Sequence, residues 1–358
     1  MRVDWLAVQD FRNYTAARLE LAPDGLTVVI GENGQGKTNL LEALAWLATL
    51  SSFRGAPNEA LVRQGAAHAY VRAQVDRDGR GVLVEAELPP RGSPRVLVNG
   101  NALRRSTDLL GALRVSVFSP DDLALIKGGP SYRRDLVDDA LVATAPHHAQ
   151  TRSAVERVLK QRGALLRQAG GKATPEVVST LDVWDAKLAE HGNALVAARR
   201  ELVTRLEPLV AKAYAEVATG AAAIAVRYVP SWEGELHAAL GAARADDLRR
   251  GVTTVGPHRD EIELHIGTLP ARTHASQGEQ RSLALALRLA VHAAVTEATG
   301  SAPILLLDDV FSELDPHRSA ALVAALPDGQ AVLTTAGALP PGASPAATVR
   351  IHDGTIEP

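Results

Sequence analysis

Eight residues near the amino terminus constrain the fold of this 358-residue chain more than any other stretch. The segment GENGQGKT, residues 31–38, follows the apolar run LTVVI and precedes the helical segment TNLLEALAWLATL. A buried strand, a glycine-rich turn and a helix in that order form a phosphate-binding loop, in which backbone N–H groups and the amino end of the helix surround an anion. We therefore predict that this loop binds nucleotide phosphates, with Lys37 reaching the outer phosphates and Thr38 ligating Mg²⁺.

A second stretch, PILLLDDVFSELD at 303–315, ends an apolar run in two adjacent carboxylates. At a strand tip beside bound phosphates, Asp308 can hold Mg²⁺ through water, and Asp309 can polarise the water that attacks a phosphate. The alternative is an acidic strand end that caps the next helix. Asp315 followed by Pro316 has the form of such a cap, with proline at the first helical position. The phosphate-binding loop in the same chain favours the nucleotide interpretation for the two aspartates.

The segment ASQGEQRSLALALRLA, residues 275–290, has two interpretations. Ser276 followed three residues later by Glu279, ahead of an apolar run, is the pattern of a helix capping box. The same letters are similar to the Ser-Gly-Gly-Gln signature of ABC-type ATPases, which is half of an ATP site. A helix amino end favours a bound anion as well as a cap, so the two interpretations are compatible. The order of the three motifs along the chain favours a functional role in addition to the cap.

Composition narrows the classes of function. Hydrophobic residues make up 46% of the chain, charged residues 22%, and no apolar run is long enough to span a membrane. The absence of cysteine excludes disulfides and cysteine zinc sites, and the amino terminus lacks the apolar core of a secretory signal, so we expect a cytoplasmic protein. The net charge is −3, yet residues 152–172 carry six basic side chains against Glu156 alone, and Arg133 and Arg134 form a second basic pair. Both are candidate DNA-facing groups.

The order of predicted elements divides the chain into three parts. Short strands fill the first third, where Asn99-Gly100 is a hairpin turn signal, and residues 130–219 show helical spacing, with Thr174 as a helix cap. Strands and helices then alternate to the end of the chain. We predict an α/β head in two parts, 1–117 and 254–358, interrupted by a helical insertion at 118–253.

Across essentially its whole length the sequence resembles the RecF family of bacterial DNA replication and repair ATPases. The segments that carry the resemblance are DFRNY, GENGQGKTNLLEAL, SSFRG, GGPSYRR, GPHRD, SQGEQRSLALALRLA and LLLDDVFSELD. GGPSYRR and GPHRD are the specific ones, because other ABC ATPases lack them. The SMC relatives carry very long coiled coils, whereas the insertion at 118–253 is short and has no sustained heptads.

The resemblance implies an ABC-type ATPase head, a P-loop lobe with amino-terminal antiparallel strands, and a helical lobe II arm without a long coiled coil. It implies ATP and Mg²⁺ as cofactors, a homodimer that closes around two ATP molecules, and weak, DNA-stimulated ATP hydrolysis. It further implies binding to duplex DNA or to junctions of single and double strands in recombinational repair and replication restart. RecR and RecO are the implied partners, RecA an indirect one, and no membrane is involved.

Matching residues carry the family's site onto this chain. Nucleotide binding is expected at Gly31, Glu32, Asn33, Gly34, Gln35, Gly36, Lys37, Thr38, Arg12, Asn13, Ser276, Gly278 and Gln280. Mg²⁺ is expected at Thr38 and Asp308, and the catalytic candidates are Asp309, Lys37 and Glu313, of which Glu313 belongs to the loop Ser312–Asp315 that crosses the dimer.

Three departures from the ABC pattern indicate slow hydrolysis. Asp309 stands where many ABC ATPases have Glu, no His follows the strand QAVLTT, and the junction segment VFSPDDL has no Gln. Glu313 is an alternative base, and Thr334 or Thr335 an alternative γ-phosphate sensor. Two other classes of protein stay open: an ATP-binding clamp without meaningful hydrolysis, and a transporter ATPase subunit. His258 and Arg259 of GPHRD have either a structural or a functional role.

Overall fold

Three sheets organise the part of the chain that this computed structural model describes, residues 1–77, 79–103, 106–218 and 222–357. In chain order the strands are β1 Arg2–Phe11, β2 Tyr14–Glu20, β3 Gly25–Ile30, β4 Ala69–Arg77, β5 Arg80–Leu88, β6 Arg95–Val98, β7 Asn101–Ala102, β8 Val115–Phe118, β9 Ile224–Val229, β10 Glu261–Ile266, β11 Leu269–Pro270, β12 Ile304–Asp308, β13 Gln330–Thr335, β14 Pro345–His352 and β15 Thr355–Glu357. The helices are α1 Lys37–Thr49, α2 Asn58–Leu61, α3 Ala124–Lys127, α4 Pro130–Thr144, α5 His148–Ala169, α6 Pro175–Val217, α7 Leu236–Arg250, α8 Ala271–His274, α9 Gln277–Thr299 and α10 Pro316–Ala325.

Contacts divide the chain into two units. The first, here called the head unit, contains Met1–Leu123, Lys212–Ala221 and Arg281–Pro358. The second, the arm unit, contains Ala124–Ala211 and Ala222–Gln280. Most of the predicted insertion at 118–253 lies in the arm unit, which also takes in residues up to Gln280 and therefore the start of α9. The division of the chain at 117 and 253 stays a prediction.

The central sheet of the head unit has the strand order β15-β14-β3-β13-β12-β8. Strands β14, β3, β13, β12 and β8 run parallel, so their carboxyl ends meet at one edge. The register pairs Thr335 with Ile30 and Asp308 with Thr334. Parallel pairing therefore brings the segment after β3 beside the end of β12, at the edge where open α/β sheets bind ligands.

The second sheet of the head unit is antiparallel, with the order β2-β1-β4-β5-β6-β7. In β4, fully buried Ala69, Val71, Ala73 and Val75 alternate with the less buried Tyr70, Arg72 and Gln74, as expected for a sheet with one solvated face. Helix α1 contacts both sheets, and ten of its 13 residues are buried, among them Trp46. One hydrophobic core thus holds the phosphate-binding segment against both sheets.

Local signals in the sequence match the elements that form. Asn99 and Gly100 join β6 to β7 with positive φ angles of 50° and 75°, the backbone that this hairpin turn requires. Thr174 accepts a hydrogen bond from the Val177 backbone N–H ahead of Pro175, the first residue of α6. The last described helical residue of α6 is Val217, and the helix end predicted near residue 219 lies outside the described residues.

Buried ion pairs hold the arm unit together. Arg162 on α5 is fully buried and bonds Asp185 and Asp247 at 2.7 and 2.6 Å. Arg199 on α6 forms two bonds of 2.7 Å with Asp138. Because a buried charge without its partner is strongly destabilising, these pairs fix which helices pack together.

These pairs correct the predicted DNA-facing groups. Arg133 is buried and bound through both carboxylate oxygens of Glu261, and Arg134 donates to the Asp260 carbonyl oxygen. In the cluster at 152–172, Arg162 is buried and Arg152 is paired with Asp139. Charge spacing in the sequence could not separate solvated arginines from those that neutralise a carboxylate brought close by the fold.

The GPHRD segment is a structural junction of the arm unit. The Pro257 carbonyl oxygen accepts from Arg199, and the Asp260 carboxylate accepts from Tyr228 and from the Ser231 backbone N–H. The His258 ring bonds the Thr253 carbonyl oxygen at 3.0 Å. Of the two roles left open for His258, these contacts support the structural one.

Burial lowers the pKa of His258 to about 4, below the ordinary value of 6.5. As the pH falls, the imidazole of residue 258 is therefore protonated in the unfolded chain before it is protonated in the folded protein. The free energy of unfolding should fall as the pH drops from about 6.5 to about 4. Wild type should lose about 2 kcal/mol of stability through this histidine between pH 7 and pH 5, and we expect His258→Gln, which keeps an N–H donor, to lose about 2 kcal/mol less over the same range, measured by urea unfolding. The exposed His147→Gln is the control, and an unchanged pH slope in the His258 variant would contradict the assignment.

Candidate nucleotide-binding site

The loop between β3 and α1 leaves no room for a side chain at two of its glycines. A Cβ atom on Gly31 would lie 2.5 Å from the Ile351 carbonyl oxygen, and one on Gly36 would lie 2.6 Å from Asn13 Nδ2. Gly36 also has a φ of 107°, which L side chains rarely adopt. The amino end of α1 follows directly, so its backbone N–H groups face the mouth of the loop. Close packing against β14 and the β1–β2 turn thus accounts for Gly31 and Gly36, whereas Gly34 has open space around it and a positive φ of 84°.

Lys37 is folded back on its own loop. Its Nζ donates to the carbonyl oxygens of Gly31 and Glu32 at 2.7 and 2.8 Å, which gives Glu32 a backbone role. Burial lowers the pKa of Lys37, and the nearby Asp309 and Asp308 carboxylates oppose that shift. A polyphosphate offers stronger acceptors than the two carbonyl groups, so Lys37 is placed to exchange them for phosphate oxygens.

Thr38 and Asp308 lie in direct contact. Thr38 Oγ1 donates to Asp308 Oδ1 at 2.8 Å, and Thr334 Oγ1 donates to the same oxygen at 2.8 Å. Burial raises the pKa of Asp308, and the two hydroxyl hydrogen bonds oppose the rise. A hydroxyl and a carboxylate side by side fit Mg²⁺, which binds few protein oxygens and completes its shell with water and phosphate. Thr334, proposed above as a phosphate sensor, is buried and holds Asp308.

Asp309 has a left-handed backbone, with a φ of 49°. Its backbone N–H donates to Thr334 Oγ1 at 3.0 Å, and its side chain lines the same cleft as Lys37 and Thr38. Consecutive carboxylates therefore have separate positions, with Asp308 against Thr38 and Asp309 at the cleft. The roles predicted for them, Mg²⁺ binding for Asp308 and polarising the water for Asp309, stay predictions.

Two residues of the β1–β2 turn reach this loop. Arg12 places two nitrogens on the Glu42 carboxylate at 2.8 and 2.7 Å, and Asn13 Nδ2 donates to the Gln35 carbonyl oxygen at 3.1 Å. The Gln35 side chain in turn accepts from the Asp353 backbone N–H at 2.5 Å. Arg12 and Asn13 both line the cleft, and their contact with a nucleotide stays a prediction.

The cleft has a volume of about 910 Å³, which is large enough for a nucleotide. It extends from the phosphate-binding loop towards the segment after α2. All of its lining residues belong to the head unit: Arg12, Asn13, Asn33, Gly34, Gly36, Lys37, Thr38, Asn39, Arg54, Glu59, Ala60, Val62, Arg63, Gln64, Gly65, Ala66, Pro90 and Asp309.

The signature residues lie at the start of α9, in the arm unit. Ser276 and Glu279 form the predicted capping box: the Ser276 backbone N–H donates to Glu279 Oε2 at 2.8 Å, and the Glu279 backbone N–H donates to Ser276 Oγ at 3.3 Å. Ser276 is exposed at this helix end, and Gly278 lies in the first turn. Gln280 is buried and donates to the carbonyl oxygens of Ala271 and Arg272, so it anchors the helix start.

Glu313, the alternative catalytic base, is paired within the head unit. Its carboxylate lies 2.8 Å from an Arg281 nitrogen, and its carbonyl oxygen accepts from the same side chain at 2.8 Å. Two residues later, Asp315 caps α10 by accepting from the Arg318 backbone N–H, with Pro316 as the first helical residue. The helix cap is therefore Asp315, whereas the carboxylate pair at the end of β12 is Asp308 and Asp309, so the two features predicted for this segment belong to different aspartates.

Glu42 is a structural residue of the site that sequence reasoning missed. It is fully buried, and it accepts from Arg12 and from the Ser52 hydroxyl. The available signal was a single carboxylate in the otherwise apolar run LLEALAWLA. An acid in that position needs a buried cation, and Arg12 supplies it.

The sequence is similar to known proteins that belong to a family of ATPase head domains. The RecF/RecN/SMC N terminal domain family model matches residues 2–333. A DNA replication and repair protein RecF from Streptomyces avermitilis is 45% identical over 375 residues, which cover 100% of both chains. One from Frankia alni is 45% identical, with 94% of this chain and 93% of its own covered.

Solved structures show the same similarity. The recombination mediator protein RecF with ATP in the RecFOR pathway has a TM-score of 0.91 at 30% identity, covering 99% of this chain and 97% of its own. The Smc head domain of Pyrococcus furiosus, bound to the C-terminal domain of ScpA, has a TM-score of 0.57 at 17% identity, covering 99% and 95%, and shares the fold.

A parallel sheet that brings a phosphate-binding loop beside two strand-end carboxylates, next to an antiparallel sheet, defines a nucleotide-binding head of the ABC and SMC type. The chain belongs to the RecF/RecN/SMC N terminal domain family, and the full-length relatives given above are RecF proteins. This membership does not fit a transporter subunit. Within the described ranges, no helix combines the length and apolarity needed to cross a bilayer.

Replacing Glu42 by Gln tests the Arg12–Glu42 pair. Because the change leaves the Arg12 guanidinium beside a neutral amide, we expect the free energy of unfolding to fall by about 3 kcal/mol, measured by urea unfolding. Glu59→Gln alters an exposed glutamate of the same cleft and should change stability by less than about 0.5 kcal/mol. Equal effects of the two substitutions would show that the buried pair does not stabilise the head unit.

Proposed function

We propose that this protein is an ATP-dependent DNA-binding protein of recombinational repair and replication restart in the cytoplasm. ATP closes two copies into a dimer that clamps DNA, and slow, DNA-stimulated hydrolysis opens it. The contact of Thr38 with Asp308 beside Lys37, at the edge of a nucleotide-sized cleft, carries the ATP part of the proposal. The DNA part, and action with RecR and RecO in loading RecA at single-strand gaps, is supported by family membership and by relatives named for DNA replication and repair.

The residues of the cleft divide the chemistry between them. Lys37 would bind the outer phosphates, and Thr38 and Asp308 would hold Mg²⁺, which when bound neutralises charge on the β- and γ-phosphates. Asp309 would orient the attacking water and accept its proton. The backbone of Gly31–Gly36 would surround the phosphates, with Arg12 and Asn13 beside them.

A second copy of the chain would complete the site. The lining of the cleft contains no signature residue among those described, while Ser276 is exposed at the amino end of α9. Its hydroxyl donates to Glu279 Oε2 at 2.7 Å, so a phosphate oxygen of the partner's nucleotide would have to replace that carboxylate as the acceptor, and the helix dipole favours an anion there. In a two-fold dimer, each site would take its phosphate-binding loop from one chain and Ser276 and Gly278 from the other. The capping box supports this role because it holds the end of α9 in a fixed geometry.

Three observations support slow hydrolysis. Asp309 has a shorter side chain than the Glu common at this position, Glu313 is engaged by Arg281, and the Thr334 hydroxyl already bonds Asp308. A switch that stays closed until one slow chemical step fits these features better than a motor. The alternative is an ATP-binding clamp without meaningful turnover, and phosphate release measured with and without DNA separates the two.

Sedimentation with and without ATP and Mg²⁺ tests the switch. We expect a monomer without nucleotide and a dimer with it. Asp309→Asn should bind ATP, fail to hydrolyse it and stay dimeric on DNA, because the water loses its proton acceptor. Asp308→Asn should instead weaken Mg²⁺ binding. An Asp309→Asn dimer that dissociates as fast as wild type under saturating ATP would contradict the assignment of Asp309.

A mixing experiment tests the shared site. Ser276→Arg should fold, bind ATP as a monomer and fail to dimerise. Lys37→Met should also fail to dimerise and to hydrolyse ATP, because it cannot hold ATP. In a mixed dimer one site has both defects and the other has neither. Half of randomly paired dimers are mixed, so ATPase activity should recover to at most roughly a quarter of wild type.

The alternative for this experiment is that Ser276 serves only as the cap of α9. If Ser276 only caps α9, its substitution costs about 1 kcal/mol of stability and leaves dimerisation intact. Wild-type dimerisation of Ser276→Arg with ATP would therefore refute the shared site. Cooperation between the two sites lowers the recovered activity, so dimerisation is the deciding measurement.

A further inference from the structure

One face of α5 carries exposed basic side chains that the arm unit does not use to neutralise its carboxylates; Arg157 donates only to the Ser153 carbonyl oxygen of its own helix, at 3.2 Å. Arg157, Lys160 and Arg167 are exposed and lie three and seven residues apart, a spacing that places them on the same side of a helix. Lys172 is exposed just beyond the helix end. We call these four residues the α5 basic face.

The α5 basic face leaves out the two arginines of α5 that pair with carboxylates. Arg162 is buried on the opposite side of the helix, and Arg152 is bound by Asp139 and Glu156. Glu156 is the only acidic residue in α5, and its pairing with Arg152 neutralises its charge. In the part of the chain that the structure describes, none of the four members of the face forms an ion pair with a carboxylate.

The face fits an extended row of negative charges. Arg157 and Arg167 are ten residues apart, which is about 15 Å along the helix axis. Duplex DNA presents one charge per roughly 1.7 Å of its axis, so several phosphates lie within reach of this row. Exposed Gln150, Gln161 and Gln168 on α5 add neutral hydrogen-bond donors of the kind that contact phosphate and sugar oxygens.

The composition of the face favours the duplex backbone over unpaired bases. Helix α5 contains no Phe, Tyr or Trp, so it offers no ring on which a base could stack. Binding of single strands without sequence preference depends largely on such stacking. Cationic and amide side chains without aromatic residues suit contacts with phosphates, which position a protein on DNA without reading its sequence.

We propose that the α5 basic face binds the sugar–phosphate backbone of double-stranded DNA. The inference rests on the proposed function for DNA as the partner, and it adds the surface of the chain that contacts the duplex. Neutralised phosphates release counterions, so each contact makes binding more sensitive to salt.

The test compares two triple variants of the full-length protein. Arg157→Gln, Lys160→Gln and Arg167→Gln together remove three charges from the face. Arg80→Gln, Arg95→Gln and Arg350→Gln remove three exposed charges from strands of the head unit and leave the same net charge. Fluorescence anisotropy with a labelled 30-base-pair duplex of arbitrary sequence, a non-hydrolysable ATP analogue and Mg²⁺ gives the Kd at several salt concentrations.

We expect the face variant to bind the duplex at least ten-fold more weakly than wild type. Its log Kd against log salt should lose roughly 2.7 units of slope, for three contacts at about 0.9 each. The control variant should stay within two-fold of wild type. Both variants should bind the ATP analogue normally and keep the wild-type melting temperature, because none of the six side chains is buried or lines the cleft.

Three results would overturn the proposal. If the face variant binds duplex like the control variant, the face serves another partner, such as an acidic protein surface. If it loses affinity for single-stranded oligonucleotide but keeps it for duplex, the assigned form of DNA is wrong. If wild type does not bind DNA with ATP at all, the DNA part of the proposed function fails first, which distinguishes that failure from an error in the surface alone.

Discussion

The hydrogen bond between Thr38 and Asp308 joins residues 270 positions apart, and the candidate site depends on it. It exists because β3, β13 and β12 pair in parallel, which brings the segment after one strand beside the tip of another. Thr334, on the strand between them, bonds the same carboxylate oxygen and also receives the Asp309 backbone N–H. The position of both carboxylates relative to the phosphate-binding loop is therefore set by backbone pairing and secured by one threonine.

The head unit supports this arrangement from the other side of the loop. Glu42 and Arg12 join α1 to the β1–β2 turn, and Asn13 joins that turn to Gln35 of the loop. Gly36 and Gly31 allow the close approach of Asn13 and β14. A nucleotide would thus meet a loop whose conformation is already determined by a buried ion pair and by steric contact, which lowers the entropic cost of binding.

The arm unit uses its charges differently. Arg133, Arg162 and Arg199 are buried and neutralise carboxylates, so they contribute to packing and offer little to solvent. Because carboxylates of the arm unit are neutralised in these internal pairs, a chain with net charge −3 can still present a local basic surface. Where the carboxylates are paired internally, the remaining exposed cations on α5 act without opposing charge.

The sequence by itself determined the local features of this protein. Gly31–Thr38, the capping box at Ser276, the cap at Asp315 and the Asn99-Gly100 turn were all predictable, because each depends on residues a few positions apart. The same holds for the α/β class and the RecF resemblance, which rest on motif order. Only the tertiary structure decided which charges are buried: it placed Glu42 under Arg12, paired Glu313 with Arg281, and removed Arg133 and Arg162 from the candidate DNA surface. The reason is physical, since the state of a charged side chain depends on the partner and the solvent that folding brings to it, and neither is written in its neighbours along the chain.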